Sequence, residues 1–428
     1  MRRRVLVLLA LAAVAIAGLL ALFLSNLATQ RNDLLLVRVD RPVLEVHVVF
    51  PTTDHSSALA HYTEHLAWQN ALGADARGAS RHSNAWTNDS AVGYWLSGAP
   101  EDLTGLLQTL HRIFDPIALP DDFARKERDV VLREYDLRLA NNIDGRAAEQ
   151  MEAFLYAGND IAQSVLGTPA EIAAFEYEDA RAVHRATHRR DTAQIVVIGD
   201  GTRREVHRAF KTVGWDAPPE DRPAVTPHPF VLGPVARDTV SFSDTDVARR
   251  MTFRRVVQLP DPVQFDLLEA QTDLLAKILD TGLPGGLAGP LRFDAAIARR
   301  FTLNIRPVDE RHIEIRFTAE PDNGVSLPTL RDAFETTLGD IAAAGISNET
   351  YARVLKRFDG YWQAWKDEEK TANWMADYTL NRVSGVRAPL PVIELQTLRS
   401  RLSNQTNNTL LRSIAGPGRT AVAFFGIE

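Results

Sequence analysis

The sequence predicts an α+β protein: two tandem, homologous α/β domains, each an antiparallel-type sheet with packed helices, behind an N-terminal transmembrane helix. Three observations carry this reading. A chain of 428 residues with 45% apolar content is long enough for more than one packed core, at roughly 150 residues per domain. The order strand, apolar helix, long helix, closing strand occurs twice along it, the mark of a duplicated unit. A charge-free apolar run over 5–24 follows Arg2, Arg3 and Arg4, and about 20 helical residues rise about 30 Å, the thickness of a bilayer core.

The basic residues in 1–4 are expected on the cytoplasmic side of a membrane helix over 5–25, which leaves the rest of the chain outside, on the periplasmic face. A cleaved export signal is the alternative. Such signals have an apolar core of about 7–15 residues and a small-residue cleavage site, whereas this run is long and Asn26-Leu27-Ala28 is a poor site. A polar tether over 26–33 leads into strands at 34–38 and 43–50, joined by a turn at Asp40-Arg41-Pro42. The second strand alternates only in part, as a mostly buried strand does. A helix begins near Ser56, a strand covers 91–98, and 102–114 carries Leu103, Leu106, Leu107 and Leu110 at helical spacing. Pro116 and Pro120 precede a long helix over about 121–140, and 195–198 is a buried strand closed by Gly199.

These elements make a first domain over 34–216. The Pro-rich, weakly periodic stretch 217–240 reads as a linker, and 241–428 as the second domain. There a strand at 251–259, an apolar helix at 263–279, a helix near 347–366 and a strand at 420–425 repeat the first set. The early pairs lie closer in number than the late ones, so a loop was inserted or lost between the copies. The second copy has no histidine in its apolar helix and an aromatic, Trp362, near the place of Glu134. One active half and one inactive half is the plain interpretation.

The chemistry is concentrated in the helix after the second strand, which contains His61-Tyr-Thr-Glu64-His65, an H-x-x-E-H pattern. On a helix the two histidines are i and i+4, so both imidazoles leave one face and can grip one metal ion. Glu64 beside them can take a proton from water. A catalytic zinc needs a third protein ligand. The long helix offers Glu127 and Glu134, seven residues apart on one face along a stripe with Val130, Val131 and Leu137. Two carboxylates on such a stripe are costly unless a cation compensates them. Glu134 is therefore assigned as the third ligand, with one zinc per chain, and Glu127 as the group that orients a ligand histidine. His47, His55, His82 and His111 are read as ordinary polar residues.

These residues resemble the pitrilysin/insulinase family of inverzincin metallopeptidases, in its short, processing-peptidase-like branch. Leu59-Ala60-His61-Tyr-Thr-Glu64-His65-Leu66 resembles the family's zinc helix. Gly78…Asn84-Ala85-Trp86-Thr87 resembles its G…N-A-x-T segment, and Glu127-Arg128-Asp129-Val130-Val131-Leu132-Arg133-Glu134 its E-R-x-V-x-x-E helix. The strand Ile195-Val-Val-Ile-Gly-Asp200 resembles the one that closes the family's first domain. The resemblance spans about 34–428, loosely in the second half.

It implies tandem domains of about 200 residues. It implies a zinc endopeptidase with ligands His61, His65 and Glu134, base Glu64 and supporting carboxylate Glu127. It also implies that Asn84 and Ala85 hold the substrate backbone by strand addition. The family's active enzymes close two halves around a peptide, and the Arg and Tyr that assist the transition state come from the partner half. Here Gly289-Pro-Leu-Arg292 with Phe301 is an incomplete version of that pair, so a heterodimer with a second family subunit is expected over a homodimer. Trp68-Gln69-Asn70-Ala71 departs from the usual F-x-G-T after the zinc helix. The non-enzymatic alternative is a structural subunit of such a complex.

Composition excludes other classes. The net charge is −7 with no long basic run beyond the N-terminus, so nucleic acid is not an expected partner. The chain has no cysteine, which excludes disulfides and thiolate zinc sites.

Overall fold

A computed structural model describes residues 33–52, 57–73, 82–215, 230–243, 247–364, 368–383 and 397–426. The expected membrane segment at 5–25 lies outside the described residues. Among those described, no helix is long and apolar enough to cross a membrane.

Two five-stranded sheets organise the described residues. The first contains β1 (Leu34–Arg38), β2 (Leu44–Pro51), β3 (Ser83–Thr87), β4 (Ala91–Gly98) and β5 (Gln194–Gly199), in the order β1-β5-β2-β4-β3. The second contains β6 (Arg237–Phe242), β7 (Arg250–Gln258), β8 (Ala298–Pro307), β9 (His312–Pro321) and β10 (Arg419–Phe425), in the order β6-β10-β7-β9-β8. The orders superimpose strand for strand. In each sheet the first and last strands pair in parallel and the remaining pairs are antiparallel. The hairpin β8–β9 has two strands of 10 residues, against 5 and 8 in β3–β4. That longer hairpin contributes to the widening offset between the two sequence copies.

β6 begins inside the stretch read as a linker. Its sequence, RDTVSF, is mostly exposed and, among the described residues, pairs only along β10, so no apolar alternation marks it.

The helices of the first half are α1 (Ser57–Leu72), α2 (Leu103–His111), α3 (Asp121–Tyr135), α4 (Ile143–Leu155), α5 (Pro169–Ala174), α6 (Tyr177–Thr187) and α7 (Arg203–Val213). Those of the second are α8 (Phe265–Leu279), α9 (Leu327–Ala344), α10 (Asn348–Ala364), α11 (Glu368–Val383) and α12 (Asn404–Ala415). One core joins α1, α2, α3, α6 and α7 to the inner face of the first sheet, through Val46, Val48, Phe50, Tyr62, Leu66, Leu107 and Val131. Its counterpart joins α8, α9 and α12 to the second sheet around Phe253, Leu274, Phe317 and Phe334.

The halves interlock by exchanging one helix each. α4 packs Ala147, Met151 and Leu155 against Val256, Ala421 and Ala423 on the outer face of the second sheet. α11 packs Ala376 against Val196 and Ile198 of the first. A buried polar cluster seals the first of these contacts. Tyr156 Oη donates to Glu314 Oε2 at 2.7 Å, Arg306 Nε donates to the same oxygen at 2.8 Å, and Arg254 pairs with Glu314 and, at 3.0 Å, with Glu152. Burial alone would raise the Glu314 carboxyl, but the two guanidiniums outweigh it and hold it at about 2. A depressed carboxyl contributes its stability above the unfolded range, near 4.5, and loses it as pH falls towards 2. Removing Glu314 leaves the buried Arg254 guanidinium with only the part-exposed Glu152 as a partner, so Glu314→Ala is expected to cost about 3 kcal/mol, read as an earlier midpoint in urea denaturation.

Candidate metal centre

α1 carries the H-x-x-E-H pattern in 16 residues without glycine or proline. Ala58, Ala60, Tyr62, Leu66, Ala67 and Ala71 are all buried, so the helix is enclosed on most sides and its polar residues are held in the interior. Tyr62 Oη donates to Ala124 O of α3 at 2.8 Å, and Arg128 of α3 donates to the carbonyls of Ala173 and Phe175. The first bond sets α3 across α1, and the Arg128 pair ties α3 to the end of α5. Asn70 ties the other end of α1 to the segment that leads into α3: its side chain accepts from Ala118 N at 3.0 Å.

The crossing brings four groups together. His61 Nε2 lies 3.4 Å from Glu134 Oε2 and 4.0 Å from Glu64 Oε2, and His65 Nε2 lies 4.0 Å from Glu134 Oε1. The two imidazole rings stand 4.9 Å apart at 82°. One ligand atom from each of His61, His65 and Glu134 falls within 4.8 Å of the others. Atoms about 2.0–2.2 Å from a tetrahedral zinc are about 3.4 Å apart, so the spacing suits one ion. Glu134 Oε2 is buried with no hydrogen-bond partner, an expensive state that a cation relieves. The donor set of two imidazoles and a carboxylate is one that zinc accepts.

Glu127 Oε2 lies 3.2 Å from His65 Nδ1. A carboxylate only accepts, so the proton is on Nδ1 and the Nε2 lone pair faces the centre. His61 Nδ1, by contrast, is buried without a partner. Burial, then the neighbouring charges of His65 and Arg138, push the His61 imidazole down to about 3. For His65, burial also lowers the value, but the Glu127 hydrogen bond and the charges of Glu64, Glu127 and Glu134 outweigh it and leave it raised. Glu64, 5% exposed, accepts a hydrogen bond from Thr87 Oγ1 at 3.2 Å. Desolvation pushes its carboxyl up to about 7.

Asn84 and Ala85 lie on β3, the edge strand, opposite Trp95 and Tyr94 of β4. No strand covers the far side of β3 among the described residues. Trp86 lies across Gly93, where a Cβ would collide with the indole, so the glycine lets the two strands close. Arg292 sits on an exposed turn with its guanidinium 5.5 Å from the Phe293 ring, while Phe301 packs against Phe317. The two residues of the expected pair thus have different neighbours within the chain, and Arg292 is exposed.

α3 is shorter than the expected 121–140 helix. It ends at Tyr135 and continues as a π-helical turn, Asp136–Ala140. The extra residue per turn rotates the face: Leu139 is buried, and Leu137, expected on the buried stripe, is 72% exposed. Arg138 reaches from this turn to within 3.6 Å of Glu134 Oε2. Sequence reasoning assigned no role to Arg138 or to the Thr87 hydroxyl. It also missed the buried chain Tyr94–His188–Thr187 behind β4, linked at 2.7 and 2.8 Å. Thr87 was visible in the N-A-W-T segment; the other two had no local signal.

No family model matches the chain. A solved domain from Pseudomonas fluorescens, described as a peptidase M16 inactive domain, aligns with TM-score 0.67 at 13% identity, over 92% of this chain and 95% of that one. The fold is that of the M16 peptidases. The first half of the periplasmic protease PqqL from Escherichia coli gives TM-score 0.74 at 13% identity, over 92% of this chain and 90% of that one. In sequence, the beta subunit of the mitochondrial-processing peptidase of Lentinula edodes is 22% identical over 156 residues, 35% of this chain and 33% of that protein. The match thus spans about a third of that relative's length.

Proposed function

We propose that the chain is a zinc-dependent endopeptidase of the pitrilysin/insulinase kind that hydrolyses peptides or unfolded polypeptides. The observation that carries this is the convergence of His61, His65 and Glu134 on one point with the buried carboxylate of Glu64 beside it. A zinc ion held by those three residues would polarise the scissile carbonyl and acidify the attacking water. Glu64 takes the proton of that water and returns it to the leaving amine. Glu127 fixes the ring of His65 through Nδ1. Asn84 and Ala85 on the open edge of β3 pair with the substrate backbone. Arg292 would belong to the face turned to a partner.

A second family subunit completes the chamber, in a heterodimer, because the chain has no tyrosine beside Arg292 to match the family's pair. The apolar run at 5–24 behind three arginines supports an anchored protein whose peptidase half acts outside the cytoplasm. The second reading is a non-catalytic subunit of such a complex. It is favoured by the inactive Pseudomonas domain of the same fold.

The test is metal analysis and digestion with the purified chain. About one zinc per chain is expected, with cleavage of an unfolded polypeptide that a chelator stops and zinc restores. A chain that binds no zinc and cleaves nothing supports the structural subunit.

A further inference from the structure

We propose that Thr87 is a positioning residue that fixes the carboxylate plane of Glu64 from the same strand that would receive the substrate. This rests on the peptidase reading above. Glu64 is buried, and the one hydrogen bond it accepts among the described residues comes from Thr87 Oγ1, at 3.2 Å to Oε2. Oε2 is also the oxygen turned towards His61 Nε2, 4.0 Å away. The Thr87 hydroxyl takes one lone pair of that oxygen and leaves another free, on the oxygen nearest His61. A terminal carboxylate torsion is otherwise broad, so without this bond the plane is set by packing alone.

The donor is itself held. Thr87 is the last residue of β3, in register with Val92. The turn that follows is closed by Asn88 N to Ala91 O at 2.9 Å, and the Asn88 side chain accepts from Ser90 N and Ala91 N at 2.8 and 2.7 Å. One residue earlier, Trp86 lies across Gly93. Two and three residues earlier are Ala85 and Asn84, on the strand edge where a substrate backbone would add. Substrate binding and base orientation therefore share one short strand, and a strand added to that edge reinforces the position from which Thr87 donates.

The experiment compares Thr87→Val, which keeps the shape and loses the hydroxyl, with Thr87→Ser, which restores it. Zinc content, kcat and KM are measured, with crystal structures of all three zinc-loaded proteins. In Thr87→Val, kcat is expected to fall about 10–100-fold, the usual effect of losing a supporting hydrogen bond at a metal site. KM and zinc content should hold, the Glu64 carboxylate should turn, and Thr87→Ser should recover rate and orientation. An unmoved carboxylate in Thr87→Val overturns the proposal, as does an unchanged kcat, or a loss of rate that Thr87→Ser shares. A zinc-loaded wild type that cleaves nothing would sink the peptidase reading instead, while the carboxylate orientation would still decide the role of Thr87.

Discussion

Replacing Glu64 by glutamine is expected to abolish cleavage while leaving zinc in place, with kcat falling by about 10²–10⁴. The substitution is nearly isosteric in a buried site. Thr87 Oγ1, 3.2 Å from Oε2, can still donate to the amide oxygen, so α1 and β3 stay in register. Glu64 lies beside the three residues that could hold the metal rather than among them, so zinc content should not change. What is lost is a group able to accept a proton. In the metal-free site burial holds that carboxyl at about 7. A divalent charge beside it favours the ionised form and lowers that value. Wild-type activity should therefore rise with pH through the carboxyl's titration, and any residual Glu64→Gln rate should lack that limb. Kinetics across pH 5–8, with zinc measured on the same samples, checks both. Cleavage retained in the variant would remove Glu64 from the chemistry.

Much of this site was legible because helical spacing is a local property. His61 and His65 one turn apart must share a face, and Glu127 and Glu134 two turns apart must share another. Only the crossing of α1 and α3 was missing. The duplication was legible for the same reason: buried strands such as those at 195–198 and 421–425 announce themselves by apolar composition. What escaped is what depends on distant partners. α4 is buried against the second sheet through Ala147, Met151 and Leu155, and nothing near it in the chain says which sheet it covers. β6 escaped because an exposed edge strand has no apolar face to display. Leu137 was misplaced because a π turn changes the rotation per residue and buries Leu139 instead, and helical spacing in the sequence does not announce such a turn.

Glu134→Gln is the second large effect: it should lower zinc affinity by more than the 10–100-fold typical of losing a supporting partner. Catalytic zinc relies on three protein ligands, and an amide oxygen has no charge to offer. The fold should survive, because Glu134 Oε2 has no hydrogen-bond partner to lose and Arg138 at 3.6 Å is largely exposed. The pH dependence supplies a second reading of the same ligand set. Zinc requires both imidazoles neutral. Burial keeps His61 neutral down to about 3, so its proton does not compete. In His65 burial is outweighed by Glu127, Glu64 and Glu134, and the raised value means its proton competes from above the ordinary histidine range, near 6.5. Wild-type zinc affinity should therefore weaken as pH falls from 8 to 6, by about one proton per ion. In Glu134→Gln one of the charges that raises His65 is gone, so the remaining weak affinity should begin to decline at a lower pH. Competition against a chromophoric chelator at pH 8, 7 and 6 measures both quantities. Unaltered zinc affinity in the variant would place Glu134 outside the ligand set and leave the two histidines of α1 without a third protein ligand.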